Sequence, residues 1–156
     1  MKRAGFSSEW TLRGAAETAA LGARIAASLE PGDAVALEGD LGAGKTTLAR
    51  AILVALGLRE DVPSPTFTLV QRYETARLAV AHFDLYRIEK EAEMEELGLD
   101  EALSEGAVLI EWPERARSHL PEGALHVQLA IIDETTRRVR LSGPPRWAAL
   151  AQGMEK

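Results

Sequence analysis

The chain has no cysteine and no long apolar run, and each absence removes a class of protein. Without Cys among its 156 residues, a disulfide scaffold, a thiolate nucleophile and cysteine-held zinc or iron-sulfur centres are excluded. No stretch approaches the roughly 18 apolar residues that a membrane helix needs, and residues 1–10 show no apolar signal core. We therefore expect a soluble, unexported cytoplasmic protein with no membrane partner.

Positive charge is also scarce. The chain has 18 Lys and Arg against 24 Asp and Glu, which gives a net charge of -6. Wrapping nucleic acid directly requires clustered cations, so any RNA contact should depend on a local basic patch or on a partner. The length, with 46% hydrophobic and 27% charged residues, predicts one globular domain over residues 1–156.

Apolar periodicity alternates between helix and strand. Four-residue spacing of Leu21, Ile25 and Leu29 predicts a helix over residues 11–29. An apolar run at residues 33–38 predicts a strand that enters a glycine-rich turn, and a second helix follows over residues 45–56. Further β-prone runs predict more strands, and they cover residues 66–73, 78–83, 107–110, 125–132 and 139–141. This alternation predicts an α/β fold.

Residues 39–46 read Gly-Asp-Leu-Gly-Ala-Gly-Lys-Thr, the phosphate-loop pattern of a glycine, any four residues, then Gly-Lys and Ser or Thr. Glycines let backbone N–H groups approach a polyphosphate closely. Lys45 supplies positive charge for the β and γ phosphates, and the Thr46 hydroxyl can coordinate Mg²⁺. Chance would produce the pattern in only about 0.5% of chains this long. We therefore predict that the loop binds ATP with Mg²⁺.

A phosphate loop also needs a carboxylate near the metal, commonly at the end of a neighbouring apolar strand. Asp84 and Glu111 each end such a run. One could hold Mg²⁺ while the other orients the attacking water, but the pattern does not say which. The alternative is that either acid caps a helix or pairs with Arg87 or Arg115.

Four further residues have two interpretations each. Ser64 and Thr66 follow or flank a proline, so their hydroxyls could contact the γ-phosphate or simply cap a turn. Trp112 either stacks beside the nucleotide or packs in the core. His82 lies among apolar strand residues, where a core histidine is more common than a catalytic one.

Several segments together resemble the TsaE family, the bacterial ATPase of tRNA threonylcarbamoyladenosine biosynthesis. The phosphate loop alone is widespread, so the specificity comes from the His-x-Asp-x-Tyr-Arg and Ile-Glu-Trp segments that follow it in order. The matching segments are residues 39–47, 64–70, 82–87, 96–99 and 109–113.

The resemblance implies a P-loop NTPase-like domain with a mixed central sheet and helices on both faces. It implies a slow, partner-stimulated ATPase that acts with TsaB and TsaD, reaching tRNA only indirectly, to modify adenosine next to the anticodon. Thr46 and Glu111 would hold Mg²⁺, and the catalytic residues would be Lys45, Asp84 and Glu111. The nucleotide would contact Thr18, Leu41, Gly42, Ala43, Gly44, Lys45, Thr46, Thr47 and Trp112.

Two other functions fit the same loop. A small-molecule kinase would need an arginine-bearing lid to exclude water, and the loop around Arg115 and Arg117 is short for that role. A non-catalytic module would use ATP occupancy only to shape a docking surface. The two strand-end acids favour hydrolysis over both.

Overall fold

A seven-stranded sheet organises the computed structural model, which describes residues 5–58 and 69–152. Its spatial order is β1-β7-β6-β2-β5-β4-β3. The strands are β1 Phe6–Arg13, β2 Ala34–Glu38, β3 Val70–Glu74, β4 Ala79–Asp84, β5 Gly106–Glu111, β6 Leu125–Ile131 and β7 Thr136–Gly143.

The centre of the sheet is parallel and its margins are antiparallel. β2 pairs in parallel with both β5 and β6, and β4 pairs in parallel with β5. The β3–β4, β6–β7 and β1–β7 pairs are antiparallel. Every residue of β5 is buried, as the unbroken apolar run predicts for a strand covered on both faces. The carboxyl ends of β2, β4 and β5 therefore meet at one edge.

Helices cover both faces of the sheet, which confirms that prediction. On one face, α1 (Gly14–Ser28) and α2 (Lys45–Ala55) pack over a core that includes Leu37 and Leu109. On the other face, α3 (Leu99–Glu105) and two 3₁₀ helices, Glu91–Leu97 and Pro113–His119, cover a second core around Phe83. A last 3₁₀ helix, Pro145–Ala151, adds Trp147 to the first core.

The predicted start of the first helix is wrong by three residues. Residues 11–13 complete β1, where Trp10 and Leu12 alternate into the core and every residue pairs with β7. The spacing of Leu21, Ile25 and Leu29 does not define where the helix begins, whereas the long-range pairing with β7 does. The strands predicted over residues 66–73 and 78–83 are present as β3 and β4, which pair as an antiparallel hairpin, while residues 66–68 lie outside the described residues. Across the described ranges, no helix has the length and apolar character needed to cross a membrane.

Candidate phosphate-binding site

The glycine-rich loop connects the carboxyl end of β2 to the first residue of α2, as predicted. Gly39 approaches β6 so closely that a Cβ there would lie 2.6 Å from the Leu129 carbonyl oxygen. Gly44 precedes the helix in the left-handed region, with φ 106°. The loop therefore has a close backbone contact and a backbone conformation that favour glycine. It places the N-terminus of α2 at the edge of the sheet.

Lys45 is held inside this loop. The side chain is 5% exposed, and Nζ donates hydrogen bonds to the carbonyl oxygens of Gly39 and Asp40. Burial lowers the pKa of the Lys45 ammonium, although the carboxylates of Glu111, Glu114, Asp84 and Asp40 act in the opposite direction. The ammonium thus lies where loop carbonyls and nearby acids stabilise a positive charge.

The two strand-end acids lie side by side. In the parallel β4–β5 register, Asp84 is opposite Glu111, and the two residues are 5% and 3% exposed. The Thr46 hydroxyl lies 2.9 Å from Glu111 Oε1 and 3.0 Å from Oε2. Asp84 Oδ1 accepts a hydrogen bond of 3.0 Å from the backbone N–H of Tyr86. The fold therefore brings together the two predicted magnesium ligands and the predicted catalytic acid.

The chemistry of these ligands fits Mg²⁺. Thr46 and Glu111 offer hydroxyl and carboxylate oxygens, the hard donors that Mg²⁺ prefers. In the described part of the chain, no group of three or more His, Cys, Asp and Glu residues could hold a metal by itself.

A cavity of about 300 Å³ lies over the loop and the acids. Trp112 forms part of its wall, with its ring centroid 3.7 Å from Lys45 Nζ and 4.9 Å from the Tyr86 ring centroid. Trp112 adopts φ 60°, a left-handed conformation unusual for a large side chain. Most of the predicted site residues line this cavity, namely Leu41, Gly42, Gly44, Lys45, Thr46, Thr47, Asp84, Glu111 and Trp112.

A second cavity of about 300 Å³ adjoins the first and shares Gly44 and Thr47 with it. The remaining two predicted nucleotide contacts, Thr18 and Ala43, line this second cavity. The Thr18 hydroxyl donates to the Gly14 carbonyl oxygen of its own helix at 3.4 Å. The predicted nucleotide contacts are therefore divided between two adjoining cavities on the loop.

Arg137 is part of the site and is absent from the predicted residues. From β7, its guanidinium donates to the loop carbonyls of Ala43 and Gly42 at 3.1 and 3.2 Å. It also donates to the carbonyl oxygens of Asp133 and Thr136 at 2.7 and 3.0 Å. A sequence signal does exist: Arg137 shares the strand face of buried Val139, where an arginine is unusual.

His82 contacts the site through Glu111. Its Nε2 lies 2.7 Å from Glu111 Oε2, and the ring is completely buried. Apolar neighbours along the strand indicated an ordinary core histidine, and the burial agrees with that interpretation. The polar contact with a predicted magnesium ligand was not predicted. Ser64 and Thr66 lie outside the described residues, so their two interpretations stay predictions.

This fold and loop define an α/β protein of the P-loop NTPase-like class. The family model for "Threonylcarbamoyl adenosine biosynthesis protein TsaE" matches residues 12–139. The chain therefore belongs to the TsaE family.

Relatives from several bacteria agree with this assignment. The tRNA threonylcarbamoyladenosine biosynthesis protein TsaE of Rickettsia felis is 43% identical over 122 residues, 78% of this chain and 71% of that protein. The Bacillus subtilis protein of the same name is 38% identical over 132 residues, 84% of this chain and 82% of that protein. The crystal structure of Bacillus subtilis YdiB superposes with a TM-score of 0.79 at 30% identity, covering 97% of this chain and 95% of that one.

Proposed function

We propose that this protein is a magnesium-dependent ATPase that acts with TsaB and TsaD in threonylcarbamoyl modification of tRNA. The observation that carries the ATPase proposal is the contact between Thr46 and Glu111 at 2.9 Å, beside the buried Lys45. A hydroxyl at the start of α2 and a carboxylate at the end of β5 are the arrangement expected for a metal that accompanies a bound triphosphate. The tRNA role is supported by membership of the TsaE family.

Each side chain has a definable task in hydrolysis. The loop N–H groups and the Lys45 ammonium stabilise negative charge on the β and γ phosphates. Bound Mg²⁺ would neutralise phosphate charge, with Thr46 and Glu111 as its protein ligands. Asp84 lines the same cavity, where its carboxylate can orient the attacking water or accept its proton. Trp112 and Tyr86 form one wall of this cavity, with their ring centroids 4.9 Å apart.

Partner stimulation fits the charge of the chain. With 24 acidic residues against 18 basic ones, the net charge of -6 opposes binding to the phosphate backbone of RNA. A subunit that supplies ATP turnover can leave tRNA contact to TsaB and TsaD. We therefore expect slow phosphate release from the isolated protein and faster release in the complex.

The test is phosphate release with and without TsaB and TsaD. Glu111→Ala and Asp84→Ala should each lower the stimulated rate by about 100-fold or more. Glu122→Ala is the matched control, because this exposed acid precedes β6 at the opposite edge of the sheet. If both site variants release phosphate at the wild-type rate, the assignment of the acids is wrong.

Two further experiments with the same proteins test the two alternative functions. Repeated rounds of tRNA modification with a nonhydrolysable ATP analogue would show that occupancy alone suffices. Transfer of labelled γ-phosphate to a metabolite of a cell extract, in place of release to water, would indicate a kinase. If the protein hydrolyses ATP as proposed, neither result should be observed.

A further inference from the structure

His82 is a buried polar side chain whose one hydrogen-bond partner among residues 5–58 and 69–152 is Glu111. It projects from β4 on the same strand face as Asp84, and its ring is 0% exposed. Nε2 lies 2.7 Å from Glu111 Oε2. Nδ1 has no hydrogen-bond partner within the described residues.

This arrangement defines how the ring is protonated when Glu111 is an ionised metal ligand. A carboxylate can only accept, so the hydrogen must be on His82 Nε2, which donates to Glu111. Nδ1 is then a buried polar atom without a hydrogen-bond partner among the described residues, which costs stability. An apolar residue could fill the same space in the core without the cost of an unpaired Nδ1. What distinguishes the histidine from such a residue is its contact with Glu111.

The hydrogen bond from Thr46 does not distinguish the two carboxylate oxygens of Glu111. The Thr46 hydroxyl lies at nearly equal distances, 2.9 and 3.0 Å, from the two carboxylate oxygens. His82 contacts only Oε2. The imidazole therefore distinguishes the two oxygens, fixes the rotation of the carboxylate and leaves Oε1 without a contact to His82.

We propose that His82 is a positioning residue that orients the Glu111 carboxylate for magnesium through the Nε2–H to Oε2 hydrogen bond. The proposal rests on the proposed magnesium-dependent function. Outer hydrogen bonds of this kind orient carboxylate ligands, and their loss typically weakens metal binding by about 10- to 100-fold. His82 itself touches neither nucleotide nor metal in this scheme.

The experiment measures metal affinity separately from activity. Mn²⁺, a spectroscopic substitute for Mg²⁺, is titrated into protein saturated with a nonhydrolysable ATP analogue, and free Mn²⁺ is followed by electron paramagnetic resonance. His82→Leu removes the donor, whereas His82→Gln places an amide N–H near the position of Nε2. Val80→Ala is the control, since Val80 is a buried apolar residue on the same face of β4.

We expect Mn²⁺ affinity to fall about 10- to 100-fold in His82→Leu and to stay within about threefold of wild type in His82→Gln and Val80→Ala. ATP binding in EDTA should change in none of them. A His82→Leu variant with wild-type Mn²⁺ affinity would overturn the proposal.

A tenfold or greater loss of Mn²⁺ affinity in the folded His82→Gln variant would also overturn the proposal. This result can be measured even if the His82→Leu variant does not fold. Wild-type protein that binds the analogue without metal dependence would instead contradict the proposed function.

Discussion

Arg137→Ala should weaken nucleotide binding even though the residue lies 91 positions beyond Thr46 in the chain. The substitution removes two hydrogen bonds from the guanidinium to the carbonyl oxygens of Gly42 and Ala43, at 3.2 and 3.1 Å. Both are near the long end of the normal range and partly exposed, so we assign each about 0.5 to 1 kcal/mol. The phosphate-binding conformation of the loop should therefore lose about 1 to 2 kcal/mol of stabilisation. This loss corresponds to roughly 5- to 30-fold weaker ATP binding.

The assay is calorimetric titration with ATP and, separately, with inorganic tripolyphosphate. Arg137 also lines the second cavity, so a direct contact with the nucleoside could imitate an effect on the loop. Tripolyphosphate has no nucleoside, and weakening of both ligands identifies the loop as the cause. Arg138→Ala is the matched control, because this neighbour is exposed and pairs with Glu9 at 2.9 Å.

The control should bind both ligands as wild type does and lose at most about 1 kcal/mol of unfolding free energy. Equal affinities in wild type, Arg137→Ala and Arg138→Ala would refute the reasoning about the loop. A loss confined to ATP would place Arg137 in nucleoside recognition instead.

Three further predictions concern the site and its supporting helices. Burial lowers the pKa of Lys45 in the free protein, and bound phosphates should raise it. ATP binding should therefore be accompanied by proton uptake at pH values between the pKa of Lys45 in the free protein and its pKa in the complex. The ATP affinity should fall as the pH rises through this range, towards the ordinary lysine value of about 10.4. Calorimetry in buffers of different ionisation enthalpy measures this uptake, and an ATP affinity that does not change with pH across the alkaline range in which the free protein stays folded would contradict the prediction. ATP should change tryptophan emission by drawing Lys45 away from Trp112, now 3.7 Å apart, and Trp112→Phe should abolish the change. Gly22→Ala would place a Cβ 2.6 Å from that of Ala51, so thermal denaturation should report a loss of about 1 to 2 kcal/mol, whereas unchanged stability would show that α1 and α2 can separate.

The sequence by itself determined the loop and the positions of the acids. Gly39 and Gly44 stand at the glycine positions of the phosphate-loop pattern, and Lys45 and Thr46 follow at fixed spacing, so the loop is recognisable without any tertiary information. Asp84 and Glu111 were identifiable because each ends an apolar run. Family membership was recognisable from motifs that follow one another in order. ATP, Mg²⁺, TsaB and TsaD, and a single domain over residues 1–156, stay predictions.

Only the tertiary structure decided which side chains meet. Residues 11–13 join β1 and not the first helix, because β7 pairs with β1 along its whole length. Glu111 lies 65 positions from Thr46, yet the parallel order β2-β5-β4 places it against the hydroxyl. The same register brings His82 to Glu111, and β7 brings Arg137 to the loop. Strand order and register arise from long-range pairing, which periodicity along one segment does not encode.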